Sequence, residues 1–175
     1  MSRLATVRSS TVRSASTGAA ATPQASDWLL LDHQLCFALY AASLAMTKAY
    51  KPLLVPLRLT YPQYLAMLVL WQADGITVSQ LGERLTLDSG TLTPLLKRLA
   101  SLGLLLRQRD AADERRVRLL LTADGQQLKA RALAVPQAIA GAVALDLAQL
   151  RQLVVQLNAL RQQLATARDP PAAAP

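Results

Sequence analysis

Leu92, Leu95, Leu96, Leu99 and Leu102 recur at the three- and four-residue spacing of a helix with one buried face. The pattern predicts a helix over about 91–102, opening between Ser89 and Thr91 because Pro94 fits only a first turn, and stopping at Gly103. Just upstream, Thr77-Val78-Ser79-Gln80 is a capping box, and Val78, Leu81 and Leu85 share one side of the helix it predicts over 77–85. Gly82 leaves room for a close crossing, and Leu87-Asp88-Ser89-Gly90 supplies the turn. From residue 104 the period falls to two, which predicts strands over 104–108 and 117–121 around a tip at 110–114. Two short helices followed by such a hairpin make a helix-turn-helix with a β wing.

The flanks read as helices. Leu35, Leu39, Ala42, Met46 and Ala49 form an apolar stripe on a helix expected from about Asp32 to Lys51, where Pro52 disfavours continuation. An apolar connector with two prolines fills 52–59. Thr60-Tyr61-Pro62-Gln63 opens the next helix, through about Ala73, with Leu65, Leu68, Val69 and Trp71 as its expected buried side. Asp74-Gly75 stops it, and Ile76 is a candidate short strand beside the wing. Downstream, Thr122 caps a helix running to about Leu145 and kinked near Pro136. Asp146-Leu147-Ala148-Gln149 opens a last helix, in which Leu150, Leu153, Leu157, Leu160 and Leu164 form a coiled-coil-like seam. Such a seam packs within the chain or pairs two copies. Pairing is favoured, because helix-turn-helix readers usually bind two half-sites. The expected fold is mainly α with a small β-hairpin wing. It is divided into a tail (1–26), an N-terminal dimerisation helix with its connector (27–59), a winged helix-turn-helix (60–122), C-terminal dimerisation helices (123–167) and a second tail (168–175).

Charge sharpens this picture. The chain of 175 residues carries a formal net charge of +8, which suits a polyanionic partner. Positions 91–118 hold seven basic and three acidic residues, whereas 27–90 hold four basic and five acidic. Positions 1–26 are rich in Ser, Thr, Ala and Arg without acids; the composition is like that of a transit peptide, but it reads as a disordered tail. It has no apolar stretch of the secretory kind, and no apolar run in the chain reaches the ~18 residues of a membrane span. The sequence also lacks a Cys/His metal cluster, a nucleophile–histidine–carboxylate set and a glycine-rich phosphate loop.

With the leucines of 92–102 turned inward, Thr91, Thr93, Lys97, Arg98 and Ser101 face outward, and Ser89 lies at the helix start. Short hydroxyls followed by two cations suit the major groove, although an ordinary solvated helix gives the same pattern. The wing adds weight to the first reading. Arg107 and Arg109 alternate on one strand, Arg116 and Arg118 on the other, and Arg115 near the tip could enter a minor groove as cationic arms do. Asp113 either pairs with Arg115 to hold the tip's shape or orients it toward DNA.

Cys36 is the only cysteine, so no intrachain disulfide forms. Near a helix start its thiolate would be favoured, although free cysteines are commonly buried and inert. Tyr40, one turn on, can place its hydroxyl near the sulfur. Tyr50 lies fourteen residues on, ~21 Å along one helix, too far to touch Cys36 of its own chain. It could reach the Cys36 of an antiparallel partner helix. The lone His33 reads as a polar surface or capping residue.

The segments LDHQLCFALYAASLAMTKAYKPLL, LTYPQYLAMLVLW, LTLDSGTLTPLLKRLASLGLL and DERRVRLLLT together resemble the MarR family of winged-helix regulators, and more specifically its organic hydroperoxide resistance (OhrR) branch. The resemblance covers roughly residues 31–164. It implies a homodimeric cytoplasmic repressor, not an enzyme and without a cofactor, that binds an inverted-repeat operator while its cysteine is reduced. By matching position, Cys36 is the sensor and Tyr40 and Tyr50 hydrogen-bond its sulfur. Thr91, Thr93, Lys97 and Arg98 match the recognition helix, and Asp113 and Arg115 the wing. Without a second, resolving cysteine the chain resembles the one-cysteine type, in which organic hydroperoxide oxidises the thiolate and a low-molecular-weight thiol then forms a mixed disulfide. The competing readings are a MarR-type repressor released by a noncovalent ligand, a thiol peroxidase, and a nonspecific architectural DNA binder.

Overall fold

The computed structural model describes residues 29–110, 113–143 and 145–168. The expected N-terminal tail, most of the C-terminal one and wing positions 111–112 lie outside them. Two compact units divide the chain, Met1–Ala42 and Ser43–Pro175. In the first, a 3-10 turn at Leu31–His33 precedes helix α1 (Leu35–Leu54), which starts three residues later than Asp32. Gln34 closes the turn by donating its N–H to the Leu31 carbonyl at 3.0 Å.

In the second unit α1 continues past Pro52 to Leu54, so the proline does not end it as expected. The cost is one backbone bond, and it falls at Lys48, whose exposed position leaves its carbonyl to water. Leu54 explains the extra turn, since it is 1% exposed and belongs to the core. The chain then tightens into a 3-10 turn at Val55–Leu57, and Arg58 reverses it in the left-handed region (φ 57).

Helix α2 (Tyr61–Gln72) opens at Thr60, whose N–H donates to Gln63 Oε1 at 2.9 Å. Its buried side is not the expected one. Tyr64, Ala66, Met67 and Leu70 lie in the core with Val69, while Leu65, Leu68 and Trp71 are only half-buried. The helix is apolar almost all round, so periodicity does not select a face. Packing against later elements does.

Helices α3 (Val78–Leu85) and α4 (Ser89–Ser101) follow, then an antiparallel hairpin of β1 (Leu105–Arg109) and β2 (Val117–Leu121). The register sets Leu105 against Leu121 and Arg107 against Leu119. The stretch before α3 reaches this hairpin, but through a single bridge at Thr77 and not through the short strand expected at Ile76. Leu119 N–H donates to the Ile76 carbonyl and Gly75 N–H to the Leu119 carbonyl, both at 2.9 Å, and Thr77 bridges to Arg118. Asp74 Oδ1 accepts from Leu121 N–H at 2.8 Å, tying the end of α2 to the wing root.

Helix α5 (Ala123–Ala132) starts at its Thr122 cap, and a break at Leu133 separates it from α6 (Ala134–Ala142) near Pro136. Helix α7 (Leu147–Arg168) opens at Asp146, as expected, and reciprocal Asp146–Gln149 bonds cap it. Leu81, Leu96, Leu99 and Leu119, each 0% exposed, lie at the centre of the core. Helix α7 contributes nothing to that core, and its Leu153, Val154, Leu157 and Leu164 are exposed. No single described helix is long and apolar enough to cross a membrane.

Candidate DNA interface and thiol site

Helix α4 is fixed in place by its leucines. Leu92, Leu95, Leu96 and Leu99 are buried, and the close approach of α3 depends on Gly82, where a β-carbon would meet the Leu87 carbonyl oxygen at 2.9 Å. Ser89, Thr91, Thr93, Lys97, Arg98 and Ser101 are all exposed, as the spacing predicts. The hydroxyl protons are already engaged: Thr91 donates to Asp88 Oδ2 at 3.0 Å, Thr93 to the Ser89 carbonyl and Ser101 to the Arg98 carbonyl at 2.8 Å. Their oxygens remain acceptors, suited to the exocyclic amines of adenine or cytosine, while Lys97 and Arg98 are donors. Because α4 begins at Ser89, Pro94 lies past the first turn; the bond it loses frees the carbonyl of exposed Gly90.

Asp88, read from the sequence only as a turn residue, is the N-cap of α4. Thr91 N–H (2.9 Å) and then the Thr91 hydroxyl donate to its carboxylate and hold its pKa below the ordinary 3.8. The unfolded chain therefore binds this proton more readily than the folded one. The stabilisation is complete above pH 3.8 and is lost as pH falls through the lowered value. Asp88→Asn keeps a capping oxygen without the charge, so it is expected to lose less stability in acid than the wild type. Urea midpoints across the acid range test this, and parallel pH profiles for the two proteins would remove the carboxylate's role.

In the wing, Asp113 serves two arginines. Its Oδ1 accepts from Arg115 Nε and its Oδ2 from Arg116 Nε, each at 3.2 Å. Arg115 is 92% exposed there, with Arg116 and Arg107 exposed as well. Surface pairs of this kind contribute little stability, ~0–1 kcal/mol, so their effect is on where the guanidinium groups point. Arg118 differs. Its Nε donates to Asp110 Oδ2 at 2.7 Å and its Nη1 to the Gly75 carbonyl at 3.1 Å. Asp110, a buried carboxylate, was not singled out in the sequence. It pairs with Arg118 diagonally across the hairpin, and only the strand register reveals that.

Cys36 is exposed in the first turn of α1, with Tyr40 also exposed one turn later in the same unit. Tyr50 belongs to the second unit, where its ring centroid lies 4.8 Å from that of Tyr61 and 5.8 Å from that of Tyr64. Burial, and then Tyr61, raise the Tyr50 pKa, so its hydroxyl is a protonated donor at neutral pH. Tyr61 and Tyr64, which frame this ring, were read in the sequence only as helix residues. His33 is exposed, and the described residues contain no group of three or more His, Cys, Asp and Glu side chains that could hold a metal.

The family described as transcriptional regulator SarA/Rot matches residues 48–132. The chain is 50% identical over 138 residues to the organic hydroperoxide resistance transcriptional regulator of Bacillus subtilis (strain 168), covering 79% of this chain and 94% of that protein. Among solved structures it is similar to reduced AbfR of Staphylococcus epidermidis bound to DNA, with 34% identity, a TM-score of 0.70 and coverage of 79% and 95%. It is also similar to overoxidised AbfR bound to DNA, with 33% identity, a TM-score of 0.67 and coverage of 81% and 99%. On this sequence identity and this winged helix-turn-helix, the chain belongs to the MarR family of transcriptional regulators, in its organic hydroperoxide resistance branch, and is not an enzyme.

Proposed function

We propose that the chain is a homodimeric cytoplasmic repressor that holds an inverted-repeat operator while Cys36 is reduced and leaves it when an organic hydroperoxide modifies that thiol. The observation that carries the DNA half is the division of α4, with buried leucines on one face and Thr91, Thr93, Lys97 and Arg98 on the other. On this reading α4, with Ser89 at its start, enters the major groove. The wing brings Arg107, Asp113, Arg115 and Arg116 to the adjacent backbone and minor groove. The exposed apolar residues of α1 and α7 pair two copies, so that two recognition helices meet two half-sites.

The redox half rests on an accessible thiol. The Cys36 thiolate attacks the outer peroxide oxygen, the O–O bond breaks, and the alkoxide leaves as an alcohol after taking a proton. The sulfur is then a sulfenic acid. A low-molecular-weight thiol displaces its hydroxyl as water, giving a mixed disulfide, since the chain has no second cysteine to do so. Tyr40 of the same chain and Tyr50 of the other would hydrogen-bond the sulfur. AbfR has been solved on DNA both reduced and overoxidised, which supports added bulk, more than added oxygen, as the releasing event. The dimer relieves that bulk by moving its recognition helices off their common spacing.

The test begins with duplexes selected by the reduced protein from a random library, which should converge on an inverted repeat. Adding an organic hydroperoxide together with a small thiol should weaken binding on the order of 100-fold, and dithiothreitol should restore it. Duplexes without a shared sequence would leave only an architectural binder. Unchanged affinity after oxidation would remove the switch, and multiple turnover of hydroperoxide would favour a peroxidase.

A further inference from the structure

The Arg118 side chain has two ends to its grip. One nitrogen reaches Asp110 at the outer end of β1, and another reaches the Gly75 carbonyl in the turn that leads into α3. Asp110 is 7% exposed while the Arg118 side chain remains half-exposed, so the guanidinium reaches a covered carboxylate from the surface. Gly75 is itself pinned, because its φ of 75° suits glycine and its N–H is held by Leu119. Arginine's planar fork serves two acceptors in different directions, which a single ammonium does less well. The contact joins the hairpin that carries Arg115 to the element that sets Thr77, the N-cap of α3.

We propose that Arg118 is a positioning residue for DNA binding: clamped between Asp110 and Gly75, it fixes the angle of the wing to the helix-turn-helix and so places Arg115. The proposal rests on the DNA-binding reading above. Its lever is short but sufficient. Arg115 lies three residues beyond Arg118, about 10 Å along an extended chain, so a tilt of roughly 10° displaces it by about 2 Å. Such a shift breaks a minor-groove contact and leaves α4 where it was.

The experiment is a double-mutant cycle in operator affinity. Arg118→Met is made in the full chain and again in an Arg115→Ala background, using a duplex selected by the wild type, with urea midpoints recorded for each protein. Arg118→Met is expected to weaken binding ~10-fold when Arg115 is present and less than about twofold when it is absent. Arg118→Lys, keeping the charge but one contact fewer, falls between. Equal losses in both backgrounds would mean that Arg118 touches DNA itself or supports the fold generally, which overturns the proposal. So would no loss in either, or an Arg115→Ala variant that binds like the wild type. If Arg118→Met does not fold, Arg118→Lys and Asp110→Asn carry the same comparison. Specific binding by the wild type stands or falls apart from all of these outcomes.

Discussion

The Cys36→Ser protein is expected to stay on its operator at hydroperoxide and thiol concentrations that strip the wild type from DNA. Serine replaces sulfur with oxygen at nearly constant shape. Its hydroxyl is not deprotonated near neutral pH and does not attack a peroxide bond. Cys36 is exposed in the first turn of α1, so the change should alter folding stability by no more than about 0.5 kcal/mol. Reduced wild type and variant should therefore bind the selected duplex equally. With oxidant the two should part by the full extent of release, on the order of 100-fold. Anisotropy titrations of both proteins, with mass spectrometry of the wild type to find the thiol adduct, provide the readout. A serine variant that also lets go would move the signal elsewhere in the molecule and leave the winged helix as a DNA binder under another control.

Gly125→Ala is the second large effect expected, and it concerns the fold. Gly125 lies in the first turn of α5, and its N–H donates to Thr122 Oγ1 at 3.0 Å. Its carbonyl accepts from the Trp71 indole at 2.8 Å, which joins α2 to α5. A β-carbon there would fall on the Leu104 carbonyl group and crowd the Leu121 side chain. The Leu121 methyl can give way, but the Leu104 carbonyl is not a flexible chain end. Leu104 is backbone leading into β1, and its carbonyl already accepts from Thr122 N–H at 3.2 Å. A methyl group therefore forces apart the wing root, α5 and the Trp71 contact together, at a cost of ~3 kcal/mol or slightly more. The urea midpoint should fall accordingly without a change in m-value. A variant within about 0.5 kcal/mol of wild type would mean that the Leu104 backbone yields easily.

What could be read from the sequence depended on how far apart the interacting residues lie along it. The Thr77–Gln80 box, the helix start at Asp146 and the leucine spacing of α4 are local, and they were legible at three- and four-residue range. Pro52 misled because the gain from burying Leu54 exceeds one lost bond, and that gain comes from residues far along the chain. The buried side of α2 was illegible for a related reason: a helix apolar all round has no pattern to read, and its orientation follows from α4, α5 and β2. At the candidate site, Lys97 and Arg98 followed from periodicity, and Cys36 followed from the segment around it. The pairing of Asp110 with Arg118 did not, because eight residues of separation become a contact only once the hairpin register is known. The Tyr50–Tyr61 ring contact was missed in the same way, since it joins two helices across a turn.

The wing tip that Asp113 organises has a kinetic consequence. Asp113 and Glu114 offset Arg115 and Arg116 in charge, and Asp113 is paired with both arginines. A tip with no net charge gains little from bare phosphates, so it adds little to the salt-dependent hold that any duplex offers a cationic surface. On the proposed function, dwell times on random DNA stay short while a groove of the right width can still draw Arg115 away from Asp113. The carboxylate thereby shortens the search through a chromosome's surplus of wrong sites, at some expense to the strength of the final complex.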